Sequence, residues 1–215
     1  DGVNDAPALK QADIGIGMGS GTDVAKDAAS MILVDDNFAT IVKAVEIGRA
    51  VFSNIKKSIT YLFAGNLGAI ISILFAVFVN LPNPFTAIQL LFINLINDSL
   101  PAIALGLEPP EKNIMNDKPR NINDGILSGG IGRIVILRGV IIGVVTIIAQ
   151  YIGLKVSSEL GTAMAFSTIL LARIFQTIAA RSDYYTSIEL GFFSNKYVFG
   201  AMGITFIIYL LILLP

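Results

Sequence analysis

Cysteine, histidine and tryptophan are all absent from the 215 residues. Without Cys there is no disulfide framework, no thiolate metal site and no Cys nucleophile. Without His there is no imidazole ligand, no His general base and no Ser-His-Asp triad. Charge is scarce too: Asp, Glu, Lys and Arg make up 14% of the chain, against roughly 25% in a soluble domain. So few charges cannot dress the surface of a soluble globule of this size. The 15 basic and 16 acidic residues leave a formal net charge of −1, so nothing global points to nucleic acid. Apolar residues are in excess, at 54%, and the mean hydropathy is +0.73. The composition predicts a membrane protein.

The charges are unevenly placed. The first 57 residues hold six of the 15 basic and eight of the 16 acidic residues, and Ser58 to Asn97 holds none. That uncharged run is about twice the ~20 residues that one helix needs to cross a bilayer. The turn signal Asn80-Leu-Pro-Asn-Pro84 interrupts it. The expected fold is predominantly α, with polytopic membrane helices at about 58–79, 85–106, 134–154, 160–180 and 197–214. The polar segment from Glu108 to Asp124 reads as a loop outside the bilayer.

Five spans assign the basic residues to sides. Lys10, Lys26, Lys43, Arg49, Lys56, Lys57, Lys112, Lys118, Arg120, Arg133, Arg181 and Lys196 fall on one side, and Lys155 falls on the other. Arg138 and Arg173 lie inside apolar stretches. The positive-inside rule makes the amino-terminal segment cytoplasmic. The expected location is the plasma membrane, with multiple passes and the lipid bilayer as a partner. The chain opens on polar, acidic sequence with no secretory signal.

Residues 1–36 follow α/β grammar. Ala12 to Gly17 and Ser30 to Val34 read as short strands, and Gly19 to Lys26 as a Gly-rich turn entering a short helix. Thirty-six residues are too few for a doubly wound sheet, and the chain starts at Asp rather than Met, so more of this domain is expected upstream. Asp1-Gly-Val-Asn-Asp5 carries two carboxylates and an amide, donors that suit Mg²⁺ with phosphate and water. On these five residues alone the commoner use is capping and turn formation.

The run from Asp1 to Phe38 resembles the end of the phosphorylation domain of P-type ATPases, and its start resembles the Gly-Asp-Gly-x-Asn-Asp motif of the haloacid-dehalogenase superfamily. The resemblance implies an α/β phosphorylation-domain remnant over 1–37, a stalk helix over 38–57 and a transmembrane domain over 58–215. It implies catalytic roles for Asp1, Asn4 and Asp5, with Asp1 and Asp5 toward Mg²⁺. It also implies ATP as substrate and an aspartyl-phosphate intermediate. The phosphorylated Asp, the nucleotide-binding and actuator domains and four membrane helices do not appear in this chain. They are expected in the remaining amino-terminal portion of the same pump, and the chain by itself is expected to be inactive.

Asp98 is the one acidic residue inside an expected span. An ionisable group there costs about 2.5–3.5 kcal/mol at the bilayer centre, so it needs a purpose or a partner. Asn94, Asn97 and Asp98 follow i, i+3, i+4 spacing and should share one helix face. Pro101 weakens the helix and should free carbonyls near Asn97 and Asp98. On the preceding span Asn66 lies between Gly65 and Gly68, which permit close helix approach. Together these make an oxygen cage for a hard cation such as Ca²⁺. The competing reading is that the Asn residues only hydrogen-bond helices together.

The run from Phe92 to Pro110 resembles the sixth membrane helix of type IIA P-type ATPases, the Ca²⁺ pumps. By that resemblance Asn94 and Asp98 match the Ca²⁺ site common to one-site and two-site pumps, and Asn66 and Asn97 match the other site. The sarcoplasmic-reticulum pumps have a Glu where this chain has Ala69, and another where Arg173 stands. Two lost carboxylates and one gained cation imply one Ca²⁺ exported per cycle, with proton counter-transport. Arg173 is then a counter-charge for Asp98; the alternative is that it snorkels. For Arg138, nearer a span end, snorkelling is the preferred reading. Phe38 to Val79 contains no Pro and can form one helix of about 60 Å, joining the Mg²⁺-phosphate end to Asn66. Gly48 within it marks either close packing or tolerance. The alternatives are an Mn²⁺ or Na⁺ pump, or a membrane-anchored dehalogenase-type phosphatase.

Overall fold

The computed structural model describes residues 1–119 and 125–213. The last part of the expected Glu108–Asp124 loop and the end of the last expected span lie outside the described residues. The chain divides into two compact units, Asp1–Arg49 and Ala50 onward.

The first unit is small and mixed. A turn of 3-10 helix, Val3–Asp5, leads into α1 (Ala6–Gln11). Strands β1 (Ile16–Met18) and β2 (Met31–Leu33) pair in parallel, with Ile16 opposite Met31 and Met18 opposite Leu33. The crossover is α2 (Asp23–Ala28), whose entry is capped by Thr22 Oγ1 accepting from Ala25 N at 3.4 Å. Ala25, Ala28 and Leu33 form its buried apolar centre.

α3 runs without a break from Ala39 to Phe78. No proline removes a donor along it. Its entry is held by Asn37 Oδ1, which accepts from Ala39 N at 2.9 Å, and by Asp35 Oδ2, which accepts from the Thr40 hydroxyl at 2.6 Å.

The second unit continues with α4 (Ala87–Phe92), a π-helical turn (Ile93–Asn97) and α5 (Ser99–Gly106). Then follow α6 (Ile131–Leu154), α7 (Ser158–Ala179) and α8 (Lys196–Leu213). Among the described residues, four stretches are long and apolar enough to cross a membrane: Ala39–Phe78, Ala87–Gly106, Ile131–Leu154 and Ser158–Ala179. A shorter apolar stretch is Lys196–Ile212.

The burial pattern is that of a membrane bundle. Large apolar side chains such as Phe63, Ile70, Leu74, Ile88, Leu95, Ile136, Leu137, Ile141 and Phe175 point outward. Polar side chains such as Ser72, Asn97, Asp98, Thr146, Gln150, Arg173 and Thr177 are buried. Such a surface suits hydrocarbon rather than water. The buried hydroxyls bond back along their own helices: Ser72 to Gly68 O at 2.9 Å, Thr146 to Ile142 O at 2.8 Å and Thr177 to Arg173 O at 3.0 Å.

Small residues set the helix spacing. A Cβ on Gly68 would lie 2.6 Å from Ile142 Cγ2 and 3.2 Å from Gly139 O. A Cβ on Gly143 would lie 2.8 Å from Ile71 Cγ2 and 3.2 Å from Gly68 O. α3 and α6 therefore touch through their glycines. Gly48 is different: a Cβ there meets nothing within 4 Å.

Candidate functional site

The site centres on the π-helical turn. Asp98 N donates to Ile93 O at 2.9 Å, a bond five residues back instead of four. Asn94 O therefore loses its usual donor and accepts from the Ser99 hydroxyl at 3.3 Å. Pro101 has no N–H to give Asn97 O. That carbonyl accepts instead from the Tyr61 hydroxyl on α3, at 3.3 Å. Asp98 O keeps its helical donor, Ala102 N, at 3.1 Å. Of the two carbonyls expected to be freed by Pro101, Asn97 O is released and taken up by α3, while Asp98 O is not.

The wide turn also redistributes the side chains. Asn97 and Asp98 are buried, whereas Asn94 is exposed. The common face inferred from ordinary helical spacing does not form, because a π turn aligns residues five apart. Asn66 on α3 is exposed as well. The described residues bring Asn97 and Asp98 together, with Asn97 Nδ2 3.5 Å from Asp98 Oδ1. They leave Asn66 and Asn94 facing out of this bundle. Asn97 Oδ1 is buried without a hydrogen-bond partner.

Asp98 is paired. Arg173 Nε donates to its Oδ1 at 2.8 Å, and Arg173 Nη2 lies 2.5 Å from its Oδ2. Both side chains are all but inaccessible, at 1% and 2% exposure. Arg173 Nη1 donates to Tyr61 O at 3.0 Å and to Gln176 Oε1 at 3.4 Å. The guanidinium also lies over the Tyr61 ring, its Cζ 4.4 Å from the centroid. Arg173 therefore does not snorkel; it is held inside the bundle by α3 and the π turn. Arg138 reaches a carbonyl and a carboxylate, Ala179 O at 2.9 Å and Asp183 Oδ1 at 3.0 Å. Its head thus meets the last carbonyl of α7 and the carboxylate just beyond that helix.

A second polar node holds the ends of the helices. Arg181 Nε and Nη2 both donate to Glu108 Oε1, at 2.9 and 2.7 Å. Asn195 Nδ2 donates to Glu108 Oε2 at 2.7 Å, and its Oδ1 caps α8 by accepting from Val198 N at 3.2 Å. Asn54 Nδ2 on α3 donates to Glu108 O at 2.6 Å. Beside it Lys57 Nζ lies 2.8 Å from Glu111 Oε1. In the sequence Glu108 and Arg181 fall outside the expected spans with no partner indicated; the available signal is their position, since each ends a span on the same expected side with opposite charge.

In the first unit Asp1 and Asn4 are exposed and Asp5 is half-buried. Asp5 Oδ2 accepts from Gly2 N at 2.9 Å, which closes the turn. Thr22 N donates to Asp1 O at 2.9 Å, which brings the Gly-rich turn beside it. Among the described residues no three acidic side chains cluster as a metal site. The donor set at Asp1, Asn4 and Asp5 is all oxygen, and with two carboxylates on a tight turn it fits Mg²⁺ whose remaining positions are filled by water and phosphate.

Residues 82–214 match the family described as cation transporting ATPase, C-terminus. The chain is 66% identical over all 215 of its residues to a calcium-transporting ATPase of Listeria monocytogenes, covering 24% of that protein. It is 61% identical over its full length to calcium-transporting ATPase 1 of Lactococcus lactis, again covering 24%. It is 47% identical over 94% of its length to a calcium-transporting ATPase of Bacillus subtilis, covering 23%. The chain thus spans about a quarter of the length of these curated relatives. On the match over 82–214, the chain belongs to the cation-transporting ATPase family and carries the carboxyl-terminal membrane region of such a protein.

Proposed function

We propose that the chain is the ion-handling segment of an ATP-driven pump that exports Ca²⁺ from the cytoplasm, one ion per cycle, with proton counter-transport. The observation that carries this reading is the buried Asp98–Arg173 pair on the π turn, beside the unpartnered Asn97 Oδ1. A lone intramembrane carboxylate is costly without a partner, and here the partner is a cation from the chain itself. Asp98 alternates between two positive partners. When Ca²⁺ is bound, the carboxylate faces the ion, with Asn94 completing the oxygen set. When Ca²⁺ has left, Arg173 holds the carboxylate charge. Asn66 and Asn97 sit at the positions of a second ion site, and the Arg173 cation occupies that neighbourhood and excludes a second Ca²⁺ by charge.

Asn66 and Asn94, exposed on this bundle, are proposed to meet ligands from pump helices outside this chain. The amino-terminal segment lies in the cytoplasm of a plasma-membrane pump, and it is the end of a dehalogenase-like phosphorylation domain. There Asp1 and Asp5 would hold Mg²⁺, with Asn4 supporting the turn. Bound there, Mg²⁺ would offset phosphate charge during phosphoryl transfer from ATP. The aspartyl phosphate forms on a residue outside this chain.

The test is ATP hydrolysis by the complete pump with Ca²⁺, Mn²⁺ or Na⁺ as the activating ion, repeated for Asp98→Asn. Activation by Ca²⁺ that the substitution abolishes supports the reading. Activation by Mn²⁺ or Na⁺ alone reassigns the ion. Hydrolysis that needs no ion and ignores Asp98→Asn points to a phosphatase.

A further inference from the structure

The guanidinium of Arg173 lies where a side chain on α3 would ordinarily be. A Cβ built on Gly65 would fall 0.9 Å from Arg173 Nη1, 1.7 Å from Cζ and 2.4 Å from Nε. All three nearest atoms belong to the guanidinium group. Gly68, one turn further on, differs in kind: its nearest neighbours are Ile142 and the Gly139 carbonyl of α6. Gly68 lets two helices touch, whereas Gly65 makes room for a charge.

We infer that Gly65 is a positioning residue for the ion site, the notch in α3 that seats the Arg173 guanidinium against Asp98. This rests on reading Arg173 as the counter-charge of Asp98. Arginine in an apolar bundle needs every donor satisfied and its plane held. Here Nε donates to Asp98 Oδ1, Nη2 stands in ion-pair contact with Oδ2, Nη1 donates to Tyr61 O, and the Tyr61 ring lies beneath the guanidinium. All of these contacts require the guanidinium to lie flat on α3 at the level of residue 65. Any side chain there, even a methyl group, overlaps it.

The overlap falls on the far end of a long, flexible side chain, not on backbone. The least costly response to Gly65→Ala is therefore withdrawal of the guanidinium, with the helices left in place. Asp98 then keeps its site but loses its fixed cation. The charged or titratable groups meeting there are Asp98 from the π turn, Arg173 from α7 and Tyr61 from α3; Asn97 and Gln176 are uncharged. With Arg173 withdrawn, no cation of the chain stands beside the carboxylate when Ca²⁺ approaches or leaves. Gly65 thus determines whether Arg173 competes with Ca²⁺ for Asp98.

The experiment compares Gly65→Ala, Arg173→Leu and the double variant in the complete pump. It measures the Ca²⁺ concentration giving half-maximal ATP hydrolysis, and the maximal rate, at one fixed pH. Leucine ends short of the guanidinium position, so in the double variant nothing contests the added methyl group. Without its fixed cation Asp98 meets Ca²⁺ with no competing charge, so Arg173→Leu is expected to lower the Ca²⁺ requirement. Gly65→Ala is expected to lower it by the same factor, and the double variant is expected to match either single one. If Arg173→Leu lowers the requirement and Gly65→Ala leaves it as in the unmodified pump, the notch is wrong and the counter-charge stands. If Gly65→Ala adds its full effect on top of Arg173→Leu, Gly65 acts through helix packing and the notch is again wrong. If Arg173→Leu leaves the requirement unchanged, the counter-charge reading fails and the notch falls with it. Should Gly65→Ala fail to accumulate, adding Arg173→Leu must restore accumulation; loss of both overturns the notch.

Discussion

Arg181 and Glu108 stand 73 residues apart in sequence, and both N–H donors that Arg181 turns toward Glu108 converge on the same oxygen, Oε1. Asn195 holds the other carboxylate oxygen, and Arg181 Nη1 donates to Phe192 O at 2.8 Å. One buried carboxylate thereby ties the end of α5 to the end of α7 and the start of α8. Removing one partner of such a pair strands the other charge, at about 3–5 kcal/mol, whereas replacing both with apolar groups is often neutral. Arg181→Met in the complete pump is therefore expected to lower thermal stability in detergent sharply. Arg181→Met with Glu108→Leu should recover most of it. A double variant as unstable as the sum of the two single ones would show that the two residues are not coupled.

The glycines of α3 and α6 should separate into two classes. A side chain at Gly143 must push Ile71 and the Gly68 carbonyl, so Gly143→Leu is expected to cost about 1–3 kcal/mol through overpacking. A Cβ at Gly48 meets nothing, and Gly48→Ala should stabilise the helix by about 0.5–1 kcal/mol, since glycine is the weaker helix former. Thermal unfolding of the two variants checks the pair. Equal destabilisation would remove the distinction.

Asp35 gives a pH signature at the entry to α3. The Thr40 hydroxyl, and after it the Asn37 N–H, hold its carboxyl below the ordinary carboxylate range. A carboxyl lowered by folding stabilises the fold above its unfolded value, about 3.9, and that stabilisation fades as pH falls through the folded value. Thr40→Val removes the leading cause. The variant should unfold at a lower temperature than the unmodified protein at pH 7, and the gap should close below about pH 4. Because the carboxylate is exposed, added salt should also narrow the gap. A gap that persists in acid would trace to the lost hydroxyl itself, not to the charge.

The membrane class and the family are legible in the sequence because both are written in runs: apolar stretches, and the segments around Asp1 and Phe92. Asp98 and Arg173 are legible because each is an ionisable residue deep in apolar sequence, and such residues need partners. Their geometry is not legible. Ordinary spacing puts Asn94 with Asn97 and Asp98, but one extra residue in the turn at Ile93–Asn97 sends Asn94 outward. Tyr61 and Gln176 carry no local signal, since a tyrosine and a glutamine in a helix acquire these roles only through packing. Gly65 was visible as a small residue, but what it makes room for depends on a side chain on α7. Glu108 and Arg181 read as flanking charges because the positive-inside rule assigns a side of the membrane and says nothing of partners.

We propose that Asp98 serves one transported ion because Arg173 holds the second position. The most direct test is the number of Ca²⁺ ions bound per phosphorylation site in the complete, unmodified pump, measured with radiolabelled Ca²⁺ and ATP on the same preparation. One Ca²⁺ per site is the predicted result. Two Ca²⁺ per site would mean that Arg173 vacates the second position, and would contradict that assignment.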